Sequence, residues 1–305
     1  MKKITGLIIL LAAIPLMSWS MTQGIKTAFD ADSAIKNGET EELKIEKVVV
    51  IGPPSGESPP LQLKTALWFP QSHQILTIYW DGIRPSEGKD SYRIYKFDHE
   101  KAEWKGYFEE SAAGGVLKPV FLAKDEIIIE KQFQRQFGGI AKANEYLSYK
   151  AGQGKQILNK GRKIESNVHI TSVGQTYENK TIYLKRISVR GNESAGIFIR
   201  NLNTTREKIL LSGSAERPAI LPGGRRIVFY YRHKSKNILC FYGPTDNKYL
   251  MQTVNLNELS KRIPAGATEI KLVSVDKSGK ELLFTFKDQE KVLNFGYFVT
   301  NKKVI

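Results

Sequence analysis

Gly223-Gly224-Arg225-Arg226-Ile227-Val228-Phe229-Tyr230-Tyr231 reads as a glycine turn followed by a buried strand. The run from Ile227 to Tyr231 is β-branched and aromatic. Such residues favour a strand over a helix, and so does a short apolar run behind turn residues. Four more runs have this character: Ile75-Leu76-Thr77-Ile78-Tyr79-Trp80, Ile127-Ile128-Ile129, Thr181-Ile182-Tyr183-Leu184 and Leu282-Leu283-Phe284-Thr285-Phe286. One turn residue taken before each run (His73, Asp125, Asn179, Gly224, Gly279) gives spacings of 52, 54, 45 and 55 residues. A period near fifty residues marks a repeat architecture.

Each run is followed by a second strand, at 92–97, 145–149, 196–202, 238–242 and 292–299. A polar turn and a further short strand follow at 151–158 and 203–210. Three or four strands per unit, repeated radially, describe an all-β chain folded as a β-propeller. An irregular β-sandwich is the competing arrangement. One short helix is expected at 256–262.

Pro218-Ala219-Ile220-Leu221-Pro222-Gly223-Gly224-Arg225-Arg226-Ile227-Val228-Phe229 resembles the repeat motif of TolB-like (WD40-like) bacterial propellers. In that motif a proline-led strand enters a Ser-Pro-Asp-Gly-Lys turn and leaves as a buried strand. Val275-Asp276-Lys277-Ser278-Gly279-Lys280-Glu281-Leu282-Leu283-Phe284 resembles the same turn, whereas the first three units keep only the spacing. Gly223 stands where the motif has Asp. The resemblance covers residues 61–305 as a pattern and two units by motif, and it implies a fold rather than an activity.

Five units give five blades, with six as the alternative. The last unit ends at Lys302-Lys303-Val304-Ile305, too early for a full outer strand. An open sheet edge invites aggregation, so the strand-like segment 43–51 is expected to complete the last blade and close the propeller. Before it, residues 21–40 read as a leader with a short helix at 28–36, and the propeller domain as 41–305. Lys2 and Lys3, the apolar run 4–17 and Ser18-Trp19-Ser20 form a signal-peptide pattern with cleavage after Ser20. The run is short for a membrane span, so no stable span is expected after cleavage. The two-lysine start points to a bacterial, periplasmic or secreted protein.

The 305 residues are 41% hydrophobic and 25% charged, which makes the chain globular rather than disordered. A single cysteine, Cys240, excludes an internal disulfide and any site built on several thiolates. It lies in an apolar strand and reads as a small buried hydrophobe. His73, His99, His169 and His233 are scattered and read as surface or structural. No Gly-x-Ser-x-Gly elbow, Walker loop, dinucleotide fingerprint, HExxH or EF-hand loop occurs, so no cofactor, metal or catalytic residue is assigned. Ser33-Ala34-Ile35-Lys36 and Ser274-Val275-Asp276-Lys277 fit Ser-x-x-Lys without companion motifs.

Charge is the informative feature. Without residues 1–20 the chain is net +13, yet residues 21–154 carry 17 basic and 19 acidic side chains, and residues 237–305 carry 10 and 7. Residues 155–236 carry 17 basic and five acidic side chains, net +12, with no Asp. Arg225, Arg226, Arg232, Lys234 and Lys236 are its densest group and the candidate binding residues. Clustered charge steers an oppositely charged partner, and guanidinium forks suit carboxylate or phosphate. The expectation is an exported, non-enzymatic protein that binds an acidic protein partner or an envelope polyanion. An exported chain argues against nucleic acid. The alternative is a hydrolase or lyase acting on a sugar or peptide, as some propellers are, with acidic and His residues converging at one mouth of the ring.

Overall fold

The computed structural model describes residues 29–56, 61–69, 72–81, 91–111, 116–122, 126–136, 140–150, 153–158, 172–189, 192–213, 215–233, 235–244 and 249–304. An N-terminal arm comes first: β1 (Phe29–Asp30), α1 (Ala31–Asn37), β2 (Glu41–Leu43) and β3 (Ile45–Ile51). Asp30 caps α1 by accepting from the Ser33 N–H at 3.1 Å, and Gly38 ends it in the left-handed conformation.

Five sheets of antiparallel strands follow, each a meander in chain order. The first is β4 (Gln62–Trp68), β5 (Gln74–Trp80), β6 (Ser91–Asp98) and β7 (Glu103–Ser111). The second is β8 (Val116–Leu122), β9 (Glu126–Gln136), β10 (Ile140–Lys150) and β11 (Gly154–Leu158). The third is β12 (Thr176–Tyr177), β13 (Lys180–Val189), β14 (Asn192–Asn201) and β15 (Glu207–Ser212). The fourth is β16 (Glu216–Ile220), β17 (Ile227–His233), β18 (Lys236–Pro244) and β19 (Tyr249–Asn255), after which α2 (Leu256–Ser260) leads onward. The fifth is β20 (Thr268–Val275), β21 (Glu281–Lys287) and β22 (Leu293–Thr300).

Side chains alternate across a strand, and here both faces find a core. Ile227, Phe229 and Tyr231 of β17 pack with Ile182, Ile197 and Leu211 of the third sheet. Val228, between them, packs with Leu272, Leu282 and Phe284 of the fifth. Leu283, Phe295 and Tyr297 of the fifth sheet meet Trp68, Ile75 and Tyr79 of the first. Leu76 and Ile78 of the first meet Leu122, Ile127 and Ile129 of the second. This two-sided burial is why the strands read as unbroken apolar runs. Each fully buried Phe contributes about 1.5–3 kcal/mol. The sheets therefore pack in the order third, fourth, fifth, first, second, with the fifth lying against the first. Among the described residues no core cluster joins the second to the third.

The arm lies along the outer edges of three consecutive sheets. β1 pairs in parallel with β15, β2 in parallel with β19, and β3 antiparallel with β22. The fifth sheet thus receives its fourth strand from the N-terminal arm. The donated strand is Ile45–Ile51, because Leu43 pairs with Val254 in the fourth sheet instead. Gly296 permits the close approach: a Cβ there would overlap the Val49 carbonyl oxygen. Residues 29–40 are not a free leader. Phe29 packs on Tyr242 with ring centroids 4.9 Å apart, and Ala31 and Ala34 enter the core between the third and fourth sheets. The α1 helix starts three residues later than the sequence suggests, where Asp30 supplies the cap.

The two motif-bearing turns are held differently. Asp276 accepts from the backbone N–H groups of Ser278 at 2.8 Å, Lys280 at 3.1 Å and Glu281 at 2.9 Å. At the equivalent turn of the fourth sheet Gly223 and Gly224 both adopt positive φ (89° and 68°). A Cβ on Gly224 would stand 2.6 Å from Tyr177 Cδ1, so glycine there also admits the third sheet.

Candidate functional site

The structure spreads the sequence-nominated basic residues along the fourth sheet. Arg225 is exposed in the turn before β17, and Arg226, half-buried, is beside it. Arg232 is exposed near the far end of the same strand, opposite Asn237. Seven residues of extended chain separate Arg225 from Arg232, about 20 Å. They do not form one cluster. Lys236 opens β18 across from His233. Lys234 lies outside the described residues, as do His169 and the N-terminal signal segment.

Arg232 has other company. It lines a cleft of about 320 Å³ between the fourth and fifth sheets with Arg217, Glu216, Asn237, Thr268 and Glu269, over an apolar floor that includes Leu256 and Ile270. Tyr230 forms part of the wall, and its hydroxyl accepts the Leu272 N–H at 2.9 Å, tying the two sheets together. Burial pushes the Tyr230 phenol above its ordinary value, so it stays neutral. Glu269 is satisfied by Lys287 at 3.0 Å. Among the described residues no ion pair engages Arg217, Arg232 or Glu216, although all three line the cleft. Arg217 and Glu269 also share a backbone peculiarity. Both have positive φ (48° and 52°) inside the first strand of their sheet, where the register to the second strand shifts. Bulges re-aim side chains. First-strand register shifts recur in the first and second sheets, so the bulge belongs to the repeat and the positive φ to this cleft.

Two other polar groups tie sheets together. Glu110 of β7, only 6% exposed, accepts from Lys131 Nζ at 2.8 Å, Lys155 Nζ at 2.6 Å and the Tyr149 hydroxyl at 2.7 Å. It joins the first sheet to the second. At the seam of the first and fifth sheets, His99 Nδ1 donates to the His73 carbonyl at 2.8 Å, since a carbonyl oxygen can only accept. That leaves His99 Nε2 facing Glu281 Oε2 at 3.5 Å, while His73 Nδ1 lies 3.4 Å from Glu100 Oε1. The His99 ring packs edge-on against Trp68 and Tyr297. Sequence spacing gives no sign of either group, because Glu110 and its partners lie on four different strands and the histidine group joins two loops of the first sheet to Glu281 of the fifth.

The remaining candidates are absorbed by the fold. Ser33 Oγ donates to Asp30 at 2.9 Å, and Ser274 Oγ, fully buried, accepts the Trp68 N–H at 3.3 Å. Cys240 is fully buried, and burial pushes its thiol well above the ordinary range, so it is inert. Among the described residues no cluster of His, Cys, Asp and Glu has metal-binding geometry, and no helix is long and apolar enough to cross a membrane.

No family model matches this sequence, and no curated protein does. Solved structures match at low identity. A mannose phosphorylase from Leishmania mexicana, in complex with phosphate ion, is 10% identical over 88% of this chain and 91% of its own, with a TM-score of 0.34. An oligogalacturonate lyase in complex with manganese is 11% identical over 81% and 68%, with a TM-score of 0.27. TolB from Acinetobacter baumannii is 13% identical over 78% and 63%, with a TM-score of 0.24. At such scores these likenesses carry no weight for function, and the architecture rests on the chain's own sheets and seams.

Proposed function

We propose that this chain is an exported bacterial β-propeller of five blades, closed by its N-terminal strand, that binds an acidic protein or envelope polyanion through its basic sector. One observation carries this reading. Among the described residues Arg186, Arg206, Lys208, Arg217, Arg225 and Arg232 are exposed, and none has a carboxylate at ion-pair distance. Compensating carboxylates are scarce there: residues 155–236 carry 17 basic side chains and five acidic ones, and among the described residues only Lys155 and Lys185 of that sector are ion-paired, with Glu110 and Glu207. Uncompensated like charge raises the local concentration of an anionic partner and speeds its encounter. Release of the first twenty residues places the protein in the periplasm or outside the cell. The test is binding of the mature chain to poly-glutamate at 50 and 150 mM NaCl. Replacing Arg225, Arg226, Arg232 and Lys234 together with Ser should leave the fold intact, since exposed charges add little stability and, among the described residues of that set, only Arg226 is half-buried. It should weaken binding and flatten its salt dependence. Unchanged affinity and salt dependence in the variant would refute the reading.

A second reading draws on the gathering of His73, His99, Glu100 and Glu281. His73 and Glu100 are over half exposed beside the half-buried His99–Glu281 pair, an acid–base set for cleaving a sugar or peptide bond. Under this reading, cleavage of acidic oligosaccharides or peptides by the mature protein should disappear in His99→Ala. No cleavage by the wild type would dismiss it.

A further inference from the structure

We propose that the cleft between the fourth and fifth sheets is the specific anchor of the basic sector, seating one acidic side chain of a peptide between Arg217 and Arg232. The proposal rests on the anion-binding reading and narrows it to a site and a ligand class. Arg232 reaches the cleft from the end of β17 and Arg217 from the bulge of β16, so the two guanidinium groups approach from different strands. Neither has a described carboxylate partner, and guanidinium groups bind carboxylates through paired N–H donors. A cleft of about 320 Å³ is at the small end of ligand sites, the size for one side chain rather than a polymer segment.

The other wall residues favour a peptide. Glu216 is a free acceptor beside the two arginines. It would repel a second anionic charge inside the cleft, so the cleft takes one carboxylate while the other side chains of an acidic peptide stay outside, and it can accept the backbone N–H next to the seated side chain. Asn237 and Thr268 offer neutral polar contacts, and Leu256 and Ile270 give methylene groups an apolar floor.

Backbone strain supplies a separate argument. A non-glycine residue in the left-handed region is disfavoured, and such residues gather at binding sites. The described non-glycine residues with positive φ are Ala102, Glu178, Thr205, Arg217, Glu269 and Lys291. Ala102, Glu178, Thr205 and Lys291 lie between strands, in turns or hairpin connections, whereas Arg217 and Glu269 lie inside strands and both line this cleft. Glycine would relax position 217, whereas the arginine there puts a side chain into the cleft lining at the cost of that strain.

The experiment titrates the mature protein with fluorescein-labelled hexaglutamate and reads anisotropy at 100 mM NaCl, with melting temperature recorded for each variant. Arg217→Gly and Arg232→Gln should each weaken binding at least tenfold, with Arg217→Gly melting no lower than wild type. The pair Arg225→Gln, Arg226→Gln, at the other end of β17, should stay within about twofold. If the Arg225, Arg226 pair weakens binding and the cleft variants do not, the cleft is overturned while the basic sector survives. If wild type binds no hexaglutamate, or no variant alters its binding, both fall. Tighter, Arg217-dependent binding of a galacturonate oligomer would overturn the peptide as ligand.

Discussion

Glu110 keeps its charge where water scarcely reaches it. Burial pushes its carboxyl up, but hydrogen bonds from Lys131, Lys155 and Tyr149, with the Lys131 charge, more than offset that, so it titrates below its ordinary 4.5. Its pKa is therefore lower in the folded than in the unfolded chain. The stabilisation is fully present above the unfolded value and disappears as pH falls through the folded one. Glu110→Ala leaves Lys131 with 17% side-chain exposure and no acceptor. Breaking such a buried pair costs about 3 kcal/mol, the lower end of the range because Lys155 is half in water. Urea midpoints at pH 7 and pH 3 check this: the gap between wild type and variant should be wide at pH 7 and narrow at pH 3. An equal gap at both would mean that packing alone is lost. Nothing in the sequence marks Glu110, one carboxylate in Glu109-Glu110; its partners lie 21, 39 and 45 residues away. Arg217 was hidden the same way. Residues 225–236 stood out because sequence density is visible in one dimension, yet a strand carries its two ends about 20 Å apart.

Strand periodicity was far more legible than any site. The runs at Ile75, Ile127, Ile182, Ile227 and Leu282 became the second strands of the five sheets; in those at Ile75, Ile127, Ile227 and Leu282 successive residues are buried, which leaves no room for polar alternation, whereas Leu184 in the third sheet is exposed. The donated strand was legible for a related reason, since Val48-Val49-Val50-Ile51 has no partner in its own unit. The parallel pairs at β1 and β2 were not, because two or three residues give too short a pattern to read. The arm should behave as a staple. It completes the fifth sheet, edges the third and fourth, and ties its β2 to the C-terminus through Lys302 and Glu41 at 2.5 Å. Deleting residues 41–52 should abolish cooperative unfolding of the whole chain, as seen by circular dichroism. Gly296→Val, which blocks β3 without removing it, should lower stability by about 1–3 kcal/mol or more. A deletion variant that melts at the wild-type temperature would show that β3 is dispensable.

At the scale of the molecule, charge works against the fold it decorates. The third and fourth sheets hold most of the +12 of residues 155–236, and packed sheets lie about 10 Å apart. At 10 mM salt the screening length is about 30 Å, so cations on neighbouring sheets repel one another; near 150 mM it is about 8 Å, and most of that repulsion is gone. The opposing term is the set of ion pairs that salt weakens. Most are exposed on at least one side, as in Lys261–Glu258 and Lys302–Glu41, and such pairs add at most about 1 kcal/mol each. Glu110 is shielded from salt by burial. The repulsive term should win, and the melting temperature of the chain without residues 1–20 should rise by a few degrees between 10 and 150 mM NaCl, a gain of about 1 kcal/mol. Replacing Arg186, Arg206 and Lys208, exposed and unpaired on the third sheet, with Gln should raise the low-salt melting temperature and shrink its salt dependence. A melting temperature that falls with salt would mean that ion pairs outweigh repulsion, and that the basic sector is compensated by carboxylates rather than left open for a partner.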